Sequence, residues 1–323
     1  MNKDLQIISD FLINTNSLSN DEKDILIKAT KSVDSELTIT EFKLDRTEKV
    51  KRTTGILLEE TIEELEQKRK AVEEQAEVIK LENERKTIEL EEARQLQLAM
   101  LPKDLPQLPD LDIAVYMQTA TEVGGDYYDF HIKDDKTLLT VIGDATGHGM
   151  KAGTIVTITK SLFHSLASEK DILSSFSEIS RVIKGMNFRQ LSMCLILMEI
   201  KDDTLSISSA AMPPALIFRN KDKSVEELSF QGMPLGAMNN FPYQLKETNL
   251  YSGDTIFLFS DGLPELMNDK KEMYGYERTK TEFYSVAEKT PEEIVNHLKN
   301  SASQWINEND PDDDVTFVVI KVK

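Results

Sequence analysis

The sequence predicts an α+β layered domain behind a helical, coiled-coil N-terminal segment. Three observations predict it. Residues 1–101 contain no proline and a single glycine, Gly55, and then the composition changes abruptly. From Leu58 to Met100 nearly every residue is a helix former, with apolar residues recurring at heptad spacing. Beyond residue 110 the chain becomes a series of short strand-like runs, interrupted by a helical pair and followed by helices near the end. That order belongs to a layered α+β domain.

Residues 1–54 read as a helical region of unassigned role. DLQIISDFLI and DEKDILIKAT have helical spacing, and Ser19 or Asn20 is placed to cap the second helix. Residues 55–101 read as a coiled-coil linker. In the heptad register that starts at Leu58, nine of thirteen core positions are apolar, the exceptions being Arg69, Asn83, Lys86 and Gln97. Asn83 falls at an a position, where a polar residue fixes register and favours a parallel homodimer. Pro102, Pro106 and Pro109 then end the helix and stiffen the joint.

Residues 102–323 form the α+β domain. LDIAVYMQTA, GDYYDFHIK and TLLTVIGDA read as strands, and Met150 to about Asn187 as two helices. LSMCLILMEI, TLSISSAA, ALIFRN, a segment near Tyr243–Tyr251 and TIFLFSDG read as further strands. Glu277–Ala287 and Pro291–Asn307 read as helices, and DVTFVVIKVK as the last strand.

The formal net charge of −19 argues against nucleic acid and anionic membrane surfaces as partners. Cys194 is the single cysteine, so no intramolecular disulfide framework exists; it lies in an apolar run and reads as a small hydrophobe. No apolar stretch approaches the roughly 18 residues of a membrane span, and MNKDLQIISDF lacks a signal-peptide core. A cytoplasmic protein is expected.

The chemistry concentrates in aspartates at strand ends. They are Asp126 in VGGDYYDF, Asp144 in LLTVIGDATGHG, Asp261 in TIFLFSDG, and Asp312–Asp314 ahead of VTFVVIKVK. A single Asp-Gly is usually only a turn. Several such acids against buried strands are costly unless a cation neutralises them, and hard divalent ions take shells of carboxylate, carbonyl and water oxygens. Glycines 143, 147 and 149 let the chain turn tightly around Asp144.

VGGDYYDF, GDATGHGM, GMPLG, SDGLPE, EMYGYER and DDDVT, in this order and spacing, resemble the metal-dependent PP2C-like serine phosphatases, in the bacterial SpoIIE/RsbU branch. The resemblance covers about residues 95–323 and includes the approach LEEARQLQLAMLP. It implies an αββα sandwich holding two Mn2+ or Mg2+ ions at the sheet edge. It implies that Asp144 bridges both metals, that the Ala145 carbonyl binds one, that Asp261 and Asp313 ligate the less hydrated metal, and that Asp126 holds the waters of the other. Asp314 is the rival of Asp313, which is preferred because the family ligand stands three residues before the threonine that is Thr316 here. Two metals about 3.5–4 Å apart can acidify a shared water, and the resulting hydroxide attacks phosphorus in line.

The resemblance thus implies a protein serine/threonine phosphatase acting on a phosphorylated partner-switching protein, such as an anti-sigma-factor antagonist, and regulated through its N-terminal helices. An inactive phosphoprotein-binding scaffold and a hydrolase of small phosphate esters are the alternatives. His148, in the ATGHGM turn, is either a phosphate-facing donor or a shaper of the loop; His131, His164 and His297 have no assigned role. Two departures stand out: Met212 occupies the histidine position of the family's Ala-Gly-His-Pro-Pro stretch, and Pro264 stands where threonine is common.

Overall fold

The computed structural model describes residues 1–323 apart from 121–122, 148, 189–190 and 308. Two helices come first, α1 (Lys3–Asn14) and α2 (Asn20–Met100). The chain continues through β1 (Leu111–Gln118), β2 (Asp126–Ile132) and β3 (Leu138–Ala145), then the pair α3 (Met150–Leu166) and α4 (Ile172–Gly185). Next come β4 (Met193–Lys201), β5 (Thr204–Ala210), β6 (Ala215–Arg219), β7 (Ser224–Leu228), β8 (Lys246–Asn249) and β9 (Thr255–Phe259). The short α5 (Gly262–Glu265), α6 (Tyr276–Val286), α7 (Pro291–Trp305) and β10 (Val315–Val322) complete it.

Contacts divide the chain into two compact units, Met1–Asn83 and Glu84–Lys323. In the first, α1 is tied to α2 through the Asn2 amide, which donates to Asp34. Ser19 caps α2 as expected: its hydroxyl accepts from the Glu22 amide at 3.3 Å, while Glu22 accepts from the Ser19 amide at 2.9 Å. Gly55 does not break α2, since nothing crowds it and the helix runs on through it.

The second unit holds two five-stranded sheets, ordered β1-β10-β9-β6-β7 and β2-β3-β4-β5-β8, with every pairing antiparallel. Strand periodicity explains the layering. In β10, Val318 and Ile320 face the core between the sheets, while Phe317 and Val319 face α6 and α7. In β3, Leu138 and Ile142 face the inter-sheet core, while Leu139 and Val141 meet Ile155 of α3 and Phe176 and Ile179 of α4. Both faces of the central strands are therefore covered, which is why they read as unbroken apolar runs. The result is the αββα sandwich that the resemblance implies.

Two elements escaped the sequence reading. β7 carries Glu226 and Glu227, charged residues suited to an exposed edge. The strand expected near Tyr243–Tyr251 is the shorter β8, the edge of the other sheet.

Candidate metal centre

Antiparallel register sets Asp126 directly opposite Asp144 across β2 and β3. Like charges so placed repel, and Asp126 is only 1% exposed. Burial first, and the neighbouring Asp144 next, hold the Asp126 carboxyl well above the usual carboxylate range. Its Oδ2 accepts a hydrogen bond from Ser260 Oγ at 2.8 Å, which links β2 to the end of β9 in the other sheet.

Asp144 feels more of the acids. Burial, then Asp261, Asp313, Asp314 and Glu265, push its carboxyl up to about 8. Asp261 follows β9 and heads the short α5; burial, then Glu265 and Asp313, raise it. Asp126, Asp144, Asp261 and Asp313 thus meet within electrostatic reach where β2, β3, β9 and β10 begin or end.

The terminal acids separate by environment. Asp314 is 5% exposed. Its Oδ1 accepts from the Ala120 amide at 2.7 Å, and its Oδ2 from the Gly125 and Asp126 amides. Its lone pairs serve as a clamp on the Gly124–Gly125 loop. Asp313 is exposed, and its Oδ1 accepts from the Asp314 amide at 2.8 Å.

Gly125 makes room for the group. A Cβ there would stand 2.7 Å from Asp144 Oδ1 and 2.8 Å from the Ala145 carbonyl oxygen. One carboxylate oxygen and one backbone carbonyl therefore border a space that exists because this residue has no side chain. Among the described residues no three His, Cys, Asp or Glu side chains close into a ready-made cage. The acids instead form an open arc of hard oxygen donors. Such an arc suits Mg2+ or Mn2+, which keep several waters and take few carboxylates directly. Cys194, opposite Asp144 in β4, is no rival ligand: burial, then Asp144 and Asp261, push its thiol up to about 12.

The remaining candidates lie apart from this arc. His131 pairs with Ser168, His164 with Asp129, and His297 with Glu282. His148 lies outside the described residues. Met212 packs against the inter-sheet core, and Pro264 is buried in α5.

Sequence reasoning missed three contributors. Glu265 stands four residues after Asp261, a helical spacing that pointed to it once α5 was recognised. Ser260 had no signal beyond adjacency to Asp261. Gln97 was read only as a polar heptad position. It is 4% exposed, and its side-chain amide donates to the Gly124 carbonyl at 2.7 Å and accepts from the Gly124 amide at 3.0 Å.

The family model described as Stage II sporulation protein E (SpoIIE) matches residues 134–323. The phosphoserine phosphatase RsbU of Bacillus subtilis (strain 168) is 29% identical over 181 residues, which are 55% of this chain and 53% of RsbU. The chain thus spans about half the length of that relative. The SiaA-PP2C domain of Pseudomonas aeruginosa has the same fold, with a TM-score of 0.64 at 18% identity, over 75% of this chain and 98% of that domain. So has RsbX, solved in complex with magnesium, with a TM-score of 0.51 at 16% identity, over 68% of this chain and 99% of RsbX.

Proposed function

The chain belongs to the SpoIIE family, and on that premise we propose that it is a metal-dependent protein serine/threonine phosphatase. The observation that carries the reading is the opposed pair Asp126 and Asp144, joined by Asp261 and Asp313 at one end of the sandwich. Clustered carboxyls with raised proton affinity are the expected state of a cation site in its protonated form. RsbX, which shares the fold, binds magnesium.

In this reading Asp144 bridges two Mn2+ or Mg2+ ions, and the Ala145 carbonyl contributes beside it. Asp261 and Asp313 hold one ion, and Asp126 orders water on the other. Asp313 is preferred over Asp314 because the latter is occupied with three backbone amides. The cations, when bound, would supply an acidified water and offset charge on the phosphoryl oxygens. The protein's share is orientation. Ser260 fixes one oxygen of Asp126, and Asp314 fixes the loop that delivers it. Gly125 leaves Asp144 and Ala145 accessible.

The substrate is a phosphoserine or phosphothreonine on a bacterial signalling protein, of the partner-switching or anti-sigma-factor-antagonist kind. The protein acts as a homodimer joined through residues 55–101 and works in the cytoplasm. Leu58, Ile62, Leu65, Val72 and Ile79 form an exposed apolar stripe on α2 that a parallel partner would cover.

The test uses the full chain with Mn2+ or Mg2+, a phosphoserine protein and p-nitrophenyl phosphate. Asp144→Asn and Asp261→Asn should each lower phosphate release from both by about 100-fold or more. Retained turnover in either variant removes the metal assignment. Binding of the phosphoprotein without phosphate release by the unaltered chain replaces the enzyme with a scaffold.

A further inference from the structure

β2 turns its two faces to different layers. Tyr128 and Phe130 enter the inter-sheet core, whereas Tyr127 packs among the α3 residues Ala152, Ile155 and Phe163. Asp129 shares the Tyr127 face and is 3% exposed. Four donors satisfy it. Its Oδ1 accepts from the Phe130 amide at 2.8 Å. Its Oδ2 accepts from the Tyr127 hydroxyl at 2.9 Å, from Lys160 Nζ, and from His164 Nε2 at 2.9 Å. Lys160 and His164 are neighbours one turn apart on α3. A buried carboxylate is thus tied to a helix by a cation and an imidazole.

The start of α3 has its own tie. The Gly149 amide donates to the Val123 carbonyl at 3.1 Å, and Gly153 lies so close that a Cβ would stand 2.7 Å from Val123 Cγ1. The two ties are spaced alike on both partners. Gly153 to His164 is about 16 Å of helix, and Val123 to Asp129 about 20 Å of strand. The helix therefore lies along the strand, pinned near both ends. What precedes the first pin is the Gly147–Gly149 turn, directly after Asp144 and Ala145.

We propose that Asp129 is a positioning residue whose latch to Lys160 and His164 sets the axial register of α3 on β2, and so the turn that presents Asp144 and Ala145 to the cations. The cation side of this proposal rests on the metal-dependent reading above; the latch itself does not. If α3 slides, the turn loses its fixed far end, and cation binding pays for reordering it before chemistry is affected.

The test compares the full chain with its Lys160→Met, Lys160→Arg and Asp129→Asn variants. Lys160 lies on the accessible side of α3, so its variants stay folded even where Asp129→Asn does not. Hydrogen exchange is followed by mass spectrometry across residues 149–156, with β9 and β10 as the reference. The Mn2+ concentration for half-maximal p-nitrophenyl phosphate turnover is measured in parallel. Lys160→Met should speed exchange in 149–156 and raise the Mn2+ requirement, each by about tenfold. Turnover at saturating Mn2+ should stay within about twofold, and Lys160→Arg should match the unaltered chain. A lower melting temperature in Lys160→Met with an unchanged Mn2+ requirement makes the pair purely structural and overturns the proposal. So does unchanged exchange in 149–156. If the unaltered chain hydrolyses no phosphate ester, the phosphatase reading fails while the exchange data still decide the latch.

Discussion

Asp144 shows at the scale of one residue how the site trades stability for cation affinity. Its carboxyl moves from an ordinary value near 3.8 to about 8, through burial first and then the surrounding acids. A folded-state value above the unfolded one means that the folded chain holds the extra proton between those limits. Stability from this group is therefore full below about 4 and lost as pH rises through about 8. A divalent cation replaces the proton, so it stabilises most where the proton has left. In scanning fluorimetry the chelator-treated chain should melt lower at pH 8 than at pH 5.5, and Mn2+ should raise the melting temperature more at pH 8. Asp144→Asn removes the repelled charge while keeping the shape. It should melt higher than the unaltered chain at pH 8 in chelator, and lose the Mn2+ response. A Mn2+ shift of equal size at both pH values would separate the cation from Asp144.

At the scale of elements, α2 has two kinds of surface that one heptad pattern conceals. Ile62 and Leu65 are 48% and 60% exposed, whereas Gln97 of the same register is buried against Gly124. The seam thus begins as a surface for a partner and ends as a contact inside the compact unit Glu84–Lys323. Ile62→Asp and Leu65→Asp together should convert a dimer into a monomer in light scattering, since charge at core positions defeats a coiled coil. A dimer of unchanged stability would move the interface elsewhere. Gln97→Ala exposes the other role. It leaves the Gly124 amide and carbonyl without their buried partners, at a cost of about 1–3 kcal/mol per orphaned group. Because Gly124 precedes the Gly125–Asp126 step, the loss should appear as a raised Mn2+ requirement as well as a lower melting temperature. Gln97→Glu keeps the acceptor for the Gly124 amide but sets a carboxylate against its carbonyl, so it should not rescue.

At the scale of the whole molecule, the layers were legible because burial on both faces writes a strand as a continuous apolar run, as in LLTVIGDA and VTFVVIKV. The acids were legible because a charge that ends such a run has no cheap explanation. What stayed hidden has one cause: it depends on which distant residue arrives beside a group. Asp314 reads like Asp313 until Ala120 and Gly125 bring their amides to it. Asp129 sits inside a quoted motif, yet its partners lie 31 and 35 residues away on α3. Gln97 is a flaw in a heptad until Gly124 is placed against it. These hidden contacts also say where the chain divides. A fragment 84–323 keeps the whole second compact unit with the Gln97 tie, whereas 101–323 begins beyond it. The shorter fragment should need more Mn2+ than the longer for half-maximal turnover, while 84–323 should match the full chain's requirement if residues 1–83 act only through dimer geometry at the level of substrate. Equal requirements in 84–323 and 101–323 would deny the end of α2 any part in assembling the site. A requirement in 84–323 well above that of the full chain would mean that the first unit supplies order the second lacks.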